Sequence, residues 1–316
     1  MILRQLLTGL FCLMLSSIAA ADDFPSREIT VVVPFSPGGT NDIMARYLSQ
    51  ELSQLWKVPS VVENRGGGGT AIGASHVAKS NPDGHVLLFT STSYTLNAAL
   101  RNDLPFDPIK DLVPVAMIAT GDVGVIVGKD TGIKSLEDLA RASKERDLFY
   151  ATAGVGSSQH FNAELLAKAL GINMEALPYP GAAEGLVDLL GGRVDVIVGS
   201  VGGMLSTMEQ GAVPIAVLGQ TRSSKLPDVP TVAEAGYPDA TTQFYWTVYA
   251  PAETPPETVD KLHEGIVSVF STPKAATLLS GLDAKPSSMS RKDVQDYVVK
   301  DISYWTDLAK QLELRE

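Results

Sequence analysis

Cysteine is nearly missing from this 316-residue chain: its one thiol, Cys12, lies close to the N-terminus. Beyond it there is nothing to build a disulfide, a thiolate metal site or a cysteine nucleophile, which suits an exported protein with a core large enough to fold without cross-links. Positive charge is also short. Lys and Arg number 25 against 36 Asp and Glu, a net charge of −11, which argues against nucleic acid or an anionic membrane as partner. An anionic ligand must then be attracted locally, not by the field of the whole molecule. The four histidines, His76, His85, His160 and His263, show neither H-x-x-x-H nor H-E-x-x-H spacing, so no metal and no cofactor is expected. G-x-S-x-G is missing, and so are the glycine fingerprints of dinucleotide and P-loop sites.

Long apolar runs are confined to the start. MILRQLLTGLFCLMLSSIAA has one positive charge, Arg4, then an apolar stretch, and Ala19-Ala20-Ala21 supplies an A-x-A cleavage site before Asp22. This predicts a secretory signal peptide over residues 1–21, too short for a retained span. A lipid anchor on Cys12 would need a small residue before it, where Phe11 stands. Loss of Arg4 with the leader takes the net charge from −11 to −12.

The remainder alternates short β-rich runs with helical patterns. Candidate strands fall at 29–35, 59–64, 85–91, 113–119, 123–128, 148–154, 194–200, 214–220 and 244–250. Between two of them Ile43, Tyr47, Leu48, Leu52 and Leu55 keep helical spacing, and Val294, Val298, Ile302 and Trp305 do so in a long terminal helix from Ser290. Thr254-Pro255-Pro256-Glu257, Thr231 to Glu234 and Ser135 to Asp138 read as helix starts. The alternation predicts an α/β protein with mainly parallel sheets. Thr120-Gly121 and Thr241-Thr242 interrupt adjacent strand-like runs and are places for the chain to cross between two lobes, one of them discontinuous.

Two loops carry the candidate chemistry. Phe35-Ser36-Pro37-Gly38-Gly39-Thr40-Asn41-Asp42 leaves a strand at its carboxyl end and opens a helix, where unpaired N–H groups and the dipole favour an anion. A plain tight turn accounts for Pro-Gly-Gly equally well, and Asp42 reads as a helix cap. Ala153 to His160 repeats the strand-glycine-helix pattern with Gly156, Ser157 and Ser158. Facing each other across a cleft, the two loops would hold an anion without arginine. A third run, Gly66 to Gly69, reads as a mobile or close-packed loop near the cleft. A secreted α/β hydrolase using Ser158 is the alternative reading, weakened because Ser158 and His160 diverge at a helix start. Tyr94, Phe244, Tyr245 and Trp246 serve either a cleft or the core.

PFSPGGTNDIMARYLSQEL, VVENRGGGGTAIGASHVAKSNPDGHVLLF, YATAGVGSSQHFNAELL and PYPGAAEGLVDLLGGRVDVIVGS resemble, in order, the solute-binding receptors of tripartite tricarboxylate transporters, the Bug proteins. LPDVPTVAEAGYP and APAETPPETVDKLHEGI continue the match over nearly the whole chain after the leader. The resemblance implies a periplasmic protein with a type II-like fold of two α/β lobes, 22–120 with 246–316 and 121–245, hinged by crossing strands. It implies a small mono-, di- or tricarboxylate ligand, aromatic acids included, and delivery to a two-component membrane permease by a monomer that is not an enzyme. Carried over by motif, the contacts are Phe35, Gly38, Gly39, Thr40, Asn41, Asp42 and Ser91 on one side, with Gly156, Ser157, Ser158 and Ser200 on the other. Tyr94 and the segment around Ser200 lie where relatives read the ligand's far end. Ser36 and Thr40 depart from the proline and glycine usual there, and Thr247 replaces a glycine.

Overall fold

The computed structural model describes residues 24–311 and 313; the leader expected over 1–21 lies outside them. Eleven strands form two sheets among these residues. The first joins β1 (Ile29–Val33), β2 (Ser60–Asn64), β3 (Val86–Ser91), β4 (Leu112–Gly121), β10 (Phe244–Pro251) and β11 (Ala284–Pro286) in the order β11-β4-β10-β3-β1-β2. The second joins β5 (Val123–Val127), β6 (Phe149–Thr152), β7 (Glu175–Pro178), β8 (Val196–Ser200) and β9 (Val213–Val217) in the order β7-β6-β8-β5-β9. Asp122 alone separates β4 from β5, and the chain re-enters the first sheet at Phe244.

The sheets are mixed, not mainly parallel. β1 pairs with β2 and β3 in parallel, and β6 does so with β7 and β8, as helical crossovers require. The strands at the crossings break the pattern: β10 runs antiparallel to β3 and β4, and β5 to β8 and β9. β5 arrives from the other sheet after Asp122 alone and β10 after residues 218–243, which hold no α-helix; the edge strand β11 also runs antiparallel, to β4.

Helices flank both sheets. They are α1 (Thr40–Trp56), α2 (Ala71–Ala78), α3 (Ser93–Leu100), α4 (Leu136–Ala142) and α5 (Ser158–Leu170), then α6 (Ala182–Leu190), α7 (Val201–Glu209), α8 (Pro256–Phe270), α9 (Pro273–Gly281) and α10 (Arg291–Gln311). α10 buries Val294, Val298, Ile302, Trp305 and Ala309, the face its spacing predicts. Ser135 caps α4 by accepting from the Asp138 N–H. Of the other two expected starts, the one at Thr231 opens no helix and the one at Thr254 opens α8 as expected but without the Thr254 cap. Thr231 and Glu234 do exchange bonds, Glu234 N–H to Thr231 Oγ1 at 3.0 Å and Thr231 N–H to Glu234 Oε2 at 2.8 Å, but they close a turn. Thr254 donates to the Pro251 carbonyl at 2.7 Å, which leaves Pro255 at the head of α8. β7 and β11 are absent from the sequence expectations because both are short edge strands with little buried area.

At one edge the sheets are bridged by packing. Leu96, Ala99 and Leu100 of α3 meet Phe161 and Leu165 of α5, with Trp305 of α10 across both. Beside them Asp301 is half-buried and accepts from Thr95 (2.7 Å), Tyr245 (2.6 Å) and Trp305 Nε1 (2.8 Å). Burial raises its pKa, although these three bonds pull the other way.

Candidate functional site

Between the two sheets lies a cavity of about 390 Å³, a size that suits a small organic ligand. Five helices, α1, α3, α5, α6 and α7, present N-terminal residues to it. Among the described residues its wall has no Lys or Arg, and the one charged side chain there is Asp42.

The α1 end is open toward the cavity. The helical ladder begins with the Ile43 N–H on the Gly39 carbonyl at 3.0 Å, so the amides of Gly39, Thr40 and Asn41 have no partner within the helix. Gly38 takes φ +96°, a conformation that favours glycine, while Gly39 sits at φ −80° with free space where a Cβ would point. The loop is braced from behind by Asp42, 4% exposed. Its carboxylate accepts from the Gly38 N–H (3.0 Å), Arg46 Nε (2.9 Å) and Asn64 Nδ2 (3.0 Å), and Asn64 also donates to the Phe35 carbonyl. Burial works against this charge, but the Arg46 and Gly38 bonds, the Asn64 bond and the Arg46 charge outweigh it and hold the pKa below the ordinary carboxylate value. Asp42 is therefore a spent anion: Arg46 balances it, and its oxygens do not repel a ligand as a free carboxylate would.

The α5 end is largely closed. Ser157 N–H bonds to the Gly154 carbonyl (3.0 Å), Ser158 N–H to Ser93 Oγ (3.0 Å) and His160 N–H to Ser157 Oγ (3.3 Å). Gly156 N–H is given to the His160 ring at 3.3 Å. Ser157 is fully buried and bonded to Thr152 Oγ1 at 2.8 Å. Gly156 has φ +83°, and a Cβ there would meet Asn97 Nδ2 at 2.3 Å. What this helix offers the cavity is Ser158, bonded to Ser93 Oγ at 2.9 Å, and Gln159, buried with its Oε1 unpartnered.

Phe35, Gly38, Gly39, Thr40, Asn41 and Asp42 thus come together in the wall, as do Ser91, Ser158 and Ser200. Ser200 caps α7 by accepting from the Gly203 N–H. Gly156 and Ser157 do not reach the wall, for the reasons just given. Tyr94 does not either: it is 1% exposed, donates to the Pro108 carbonyl at 2.6 Å and packs against Tyr249. Tyr245 and Trp246 are core residues as well, which leaves Phe35 and Phe244 as the wall's aromatics. Ser158 has a serine beside it and no base, since the His160 ring is turned to Gly156. Among the described residues no group of His, Cys, Asp and Glu could hold a metal ion.

Sequence reasoning reached Gln159 as part of the second glycine loop and Gly202 and Gly203 as part of the segment around Ser200, but it missed Ser93 and the two helical stripes as such. Ala182, Ala183, Leu186, Val187 and Leu190 line the cavity from α6; Gly202, Gly203, Ser206, Thr207 and Gln210 do so from α7 and the residue after it. Both stripes repeat i, i+1, i+4, i+5, i+8, one helical face, and that period was the available signal.

The lobes touch around the cavity. Ser36 N–H donates to the Pro180 carbonyl at 3.3 Å. A Cβ on Gly203 would lie 3.2 Å from Thr40 Cγ2, and one on Gly69 would lie 2.3 Å from the Val155 carbonyl oxygen. The four-glycine run is thus a close-packed contact with the opposite loop.

Residues 44–314 match the tripartite tricarboxylate transporter family receptor, TctC. The chain is 32% identical to protein BugT of Bordetella pertussis over 92% of its length and 91% of that protein. It superposes on the periplasmic binding protein BugD with a TM-score of 0.88 at 28% identity, covering 92% of this chain and 99% of that one. R. palustris Rpa4515, solved with adipate, gives 0.87 at 33% with the same coverage. MatC from Rhodopseudomonas palustris, solved with malate, gives 0.86 at 30%, covering 90% and 99%. Two sheets with a cavity between them fit that company: the chain belongs to the TctC family of periplasmic solute-binding receptors, which bind small carboxylates, serve tripartite transporters and are not enzymes.

Proposed function

We propose that this chain captures a small carboxylate in the cavity and hands it to a two-component membrane permease. One observation carries the reading. The open amides of Gly39, Thr40 and Asn41 face a cavity without a single cationic side chain, so the anion is held by backbone dipoles and neutral groups. Thr40, Asn41, Ser91, Ser158, Gln159 and Ser200 supply the neutral groups. The adipate and malate of the relatives support the chemical class.

Lobes 22–120 with 246–316 and 121–245 close on the ligand as bodies, hinged by the strands that cross between them at Asp122 and before Phe244. Loops from both lobes then share one carboxylate, the differential contact that closure needs. The protein is exported after cleavage near Ala21 and works as a monomer.

A thermal-shift screen against a panel of carboxylates and their amides tests the grip. Ligand at 100 times its Kd adds about 2.7 kcal/mol of stability. If amides raise the melting temperature as much as the free acids, the mechanism is wrong.

A further inference from the structure

We infer that the cavity is shaped for an elongated monocarboxylate whose tail carries no second negative charge. The inference rests on the carboxylate reading above and specifies the other end of the ligand.

The cavity is a groove running away from the helix N-termini. The lining residues of α6 extend from Ala182 to Leu190, and those on the α7 side from Gly202 to Gln210. Eight residues of helix span roughly 12 Å, so the groove accepts a tail several carbons long. α6 and α7 follow β7 and β8, which both run parallel to β6, and both begin beside the α1 loop: a Cβ on Gly181 would lie 3.0 Å from Ser36 Cβ, and one on Gly203 3.2 Å from Thr40 Cγ2. Their dipoles therefore point the same way along the groove. A carboxylate is favoured at the near end and disfavoured at the far end, where the carbonyls of both helices finish.

Side chains agree with the dipoles. Leu186, Val187, Leu190 and Met204 form an apolar wall, with Ile43 lining the cavity from α1. Val187 is 67% exposed and Ile43 41%, leaving apolar surface on both lobes. The polar residues of the α7 stripe, Ser206, Thr207 and Gln210, are uncharged, and Gln210 Nε2 already donates to the Ser206 carbonyl at 3.0 Å. A distal carboxylate would meet no cation there, only the last carbonyls of the two helices. At the near end, the unpartnered and buried Gln159 Oε1 marks polar capacity that the protein itself does not use; a side-chain amide can turn to donate.

Calorimetry with hexanoate, adipate, butyrate and hexanamide tests this. Hexanoate and adipate differ only in the distal group. We expect hexanoate to bind at least tenfold tighter than adipate, and roughly 15-fold tighter than butyrate at about fourfold per buried methylene. Adipate binding as tightly as hexanoate, or failure of hexanoate to bind, overturns the inference and leaves the carboxylate grip standing. Hexanamide binding as tightly as hexanoate removes the grip itself. Val187→Lys, at an exposed position that folding tolerates, should narrow the hexanoate–adipate gap about tenfold. An unchanged gap would mean that the tail does not lie in this groove.

Discussion

At the head of α1 the loop keeps its amides for the cavity, whereas at the head of α5 a loop of like composition uses nearly all of them internally. Both follow a β-strand, both contain glycines at positive φ, and both open a helix. The first is stiffened by Asp42, Arg46 and Asn64 at the cost of the Gly38 N–H alone, so the N–H groups of Gly39, Thr40 and Asn41 stay available. The second is stiffened by its own Ser157 and by Ser93 and His160, and its glycines are pressed against Gly69 and Asn97. One loop offers amides to the cavity; the other packs against the opposite lobe. Strand-glycine-helix chemistry is thus ambiguous between binding a ligand and allowing two backbones to touch.

Substitutions at the two kinds of glycine separate these roles most sharply. Gly69→Val places a Cβ 2.3 Å from the Val155 carbonyl oxygen at φ +63°. Raising the closed state by about 3 kcal/mol should weaken carboxylate binding roughly 100-fold, and scattering should show a larger radius with ligand than in the wild type. Gly39→Val meets no protein atom within 4 Å and has an ordinary φ. It should fold with near-normal stability yet lose about 1.5–3 kcal/mol of binding, measured by calorimetry, because the side chain blocks the amides. Equal damage to stability by both variants would erase the distinction.

The brace behind α1 is tested by Asp42→Asn. Removing the charge should cost about 1.5–3 kcal/mol of stability at neutral pH, from bonds to a charged group. Because the native pKa is lowered, this contribution is present above the unfolded pKa and disappears as pH falls through the native value. Urea titrations of wild type and variant should therefore converge in acid. Asp301, beside the edge where α3 meets α5, has the opposite sign. Its raised pKa favours the protonated form in the fold, so its contribution is complete below the unfolded pKa and is lost as pH rises through the native one. The wild type should lose up to about 1.4 kcal/mol per pH unit across that window, and Asp301→Asn should flatten the slope.

The smallest effect belongs to the α5 loop. Ser157→Ala removes a helix cap and should cost about 1 kcal/mol in thermal denaturation, with ligand affinity changed less than threefold. A tenfold loss of affinity without loss of stability would mean that Ser157 meets the ligand after all.

Read by itself, the sequence determined the local features: the alternation of nine strand-like runs with helices, the amphipathic face of α10, and the glycine loops at strand ends. These follow from side-chain period and backbone freedom, which act over a few residues. It also determined that the two glycine loops, Phe35 to Asp42 and Ala153 to His160, carry no Lys or Arg. Tertiary structure decided the rest. Ser93 and Ser158 are 65 positions apart, and Thr95 and Asp301 are 206 apart. Whether an amide is open or spent, whether Tyr94 is wall or core, and whether two ordinary helical stripes form one groove all depend on surfaces brought together across such distances. The same residue types satisfy either outcome locally, so only the packing of one lobe against the other could choose.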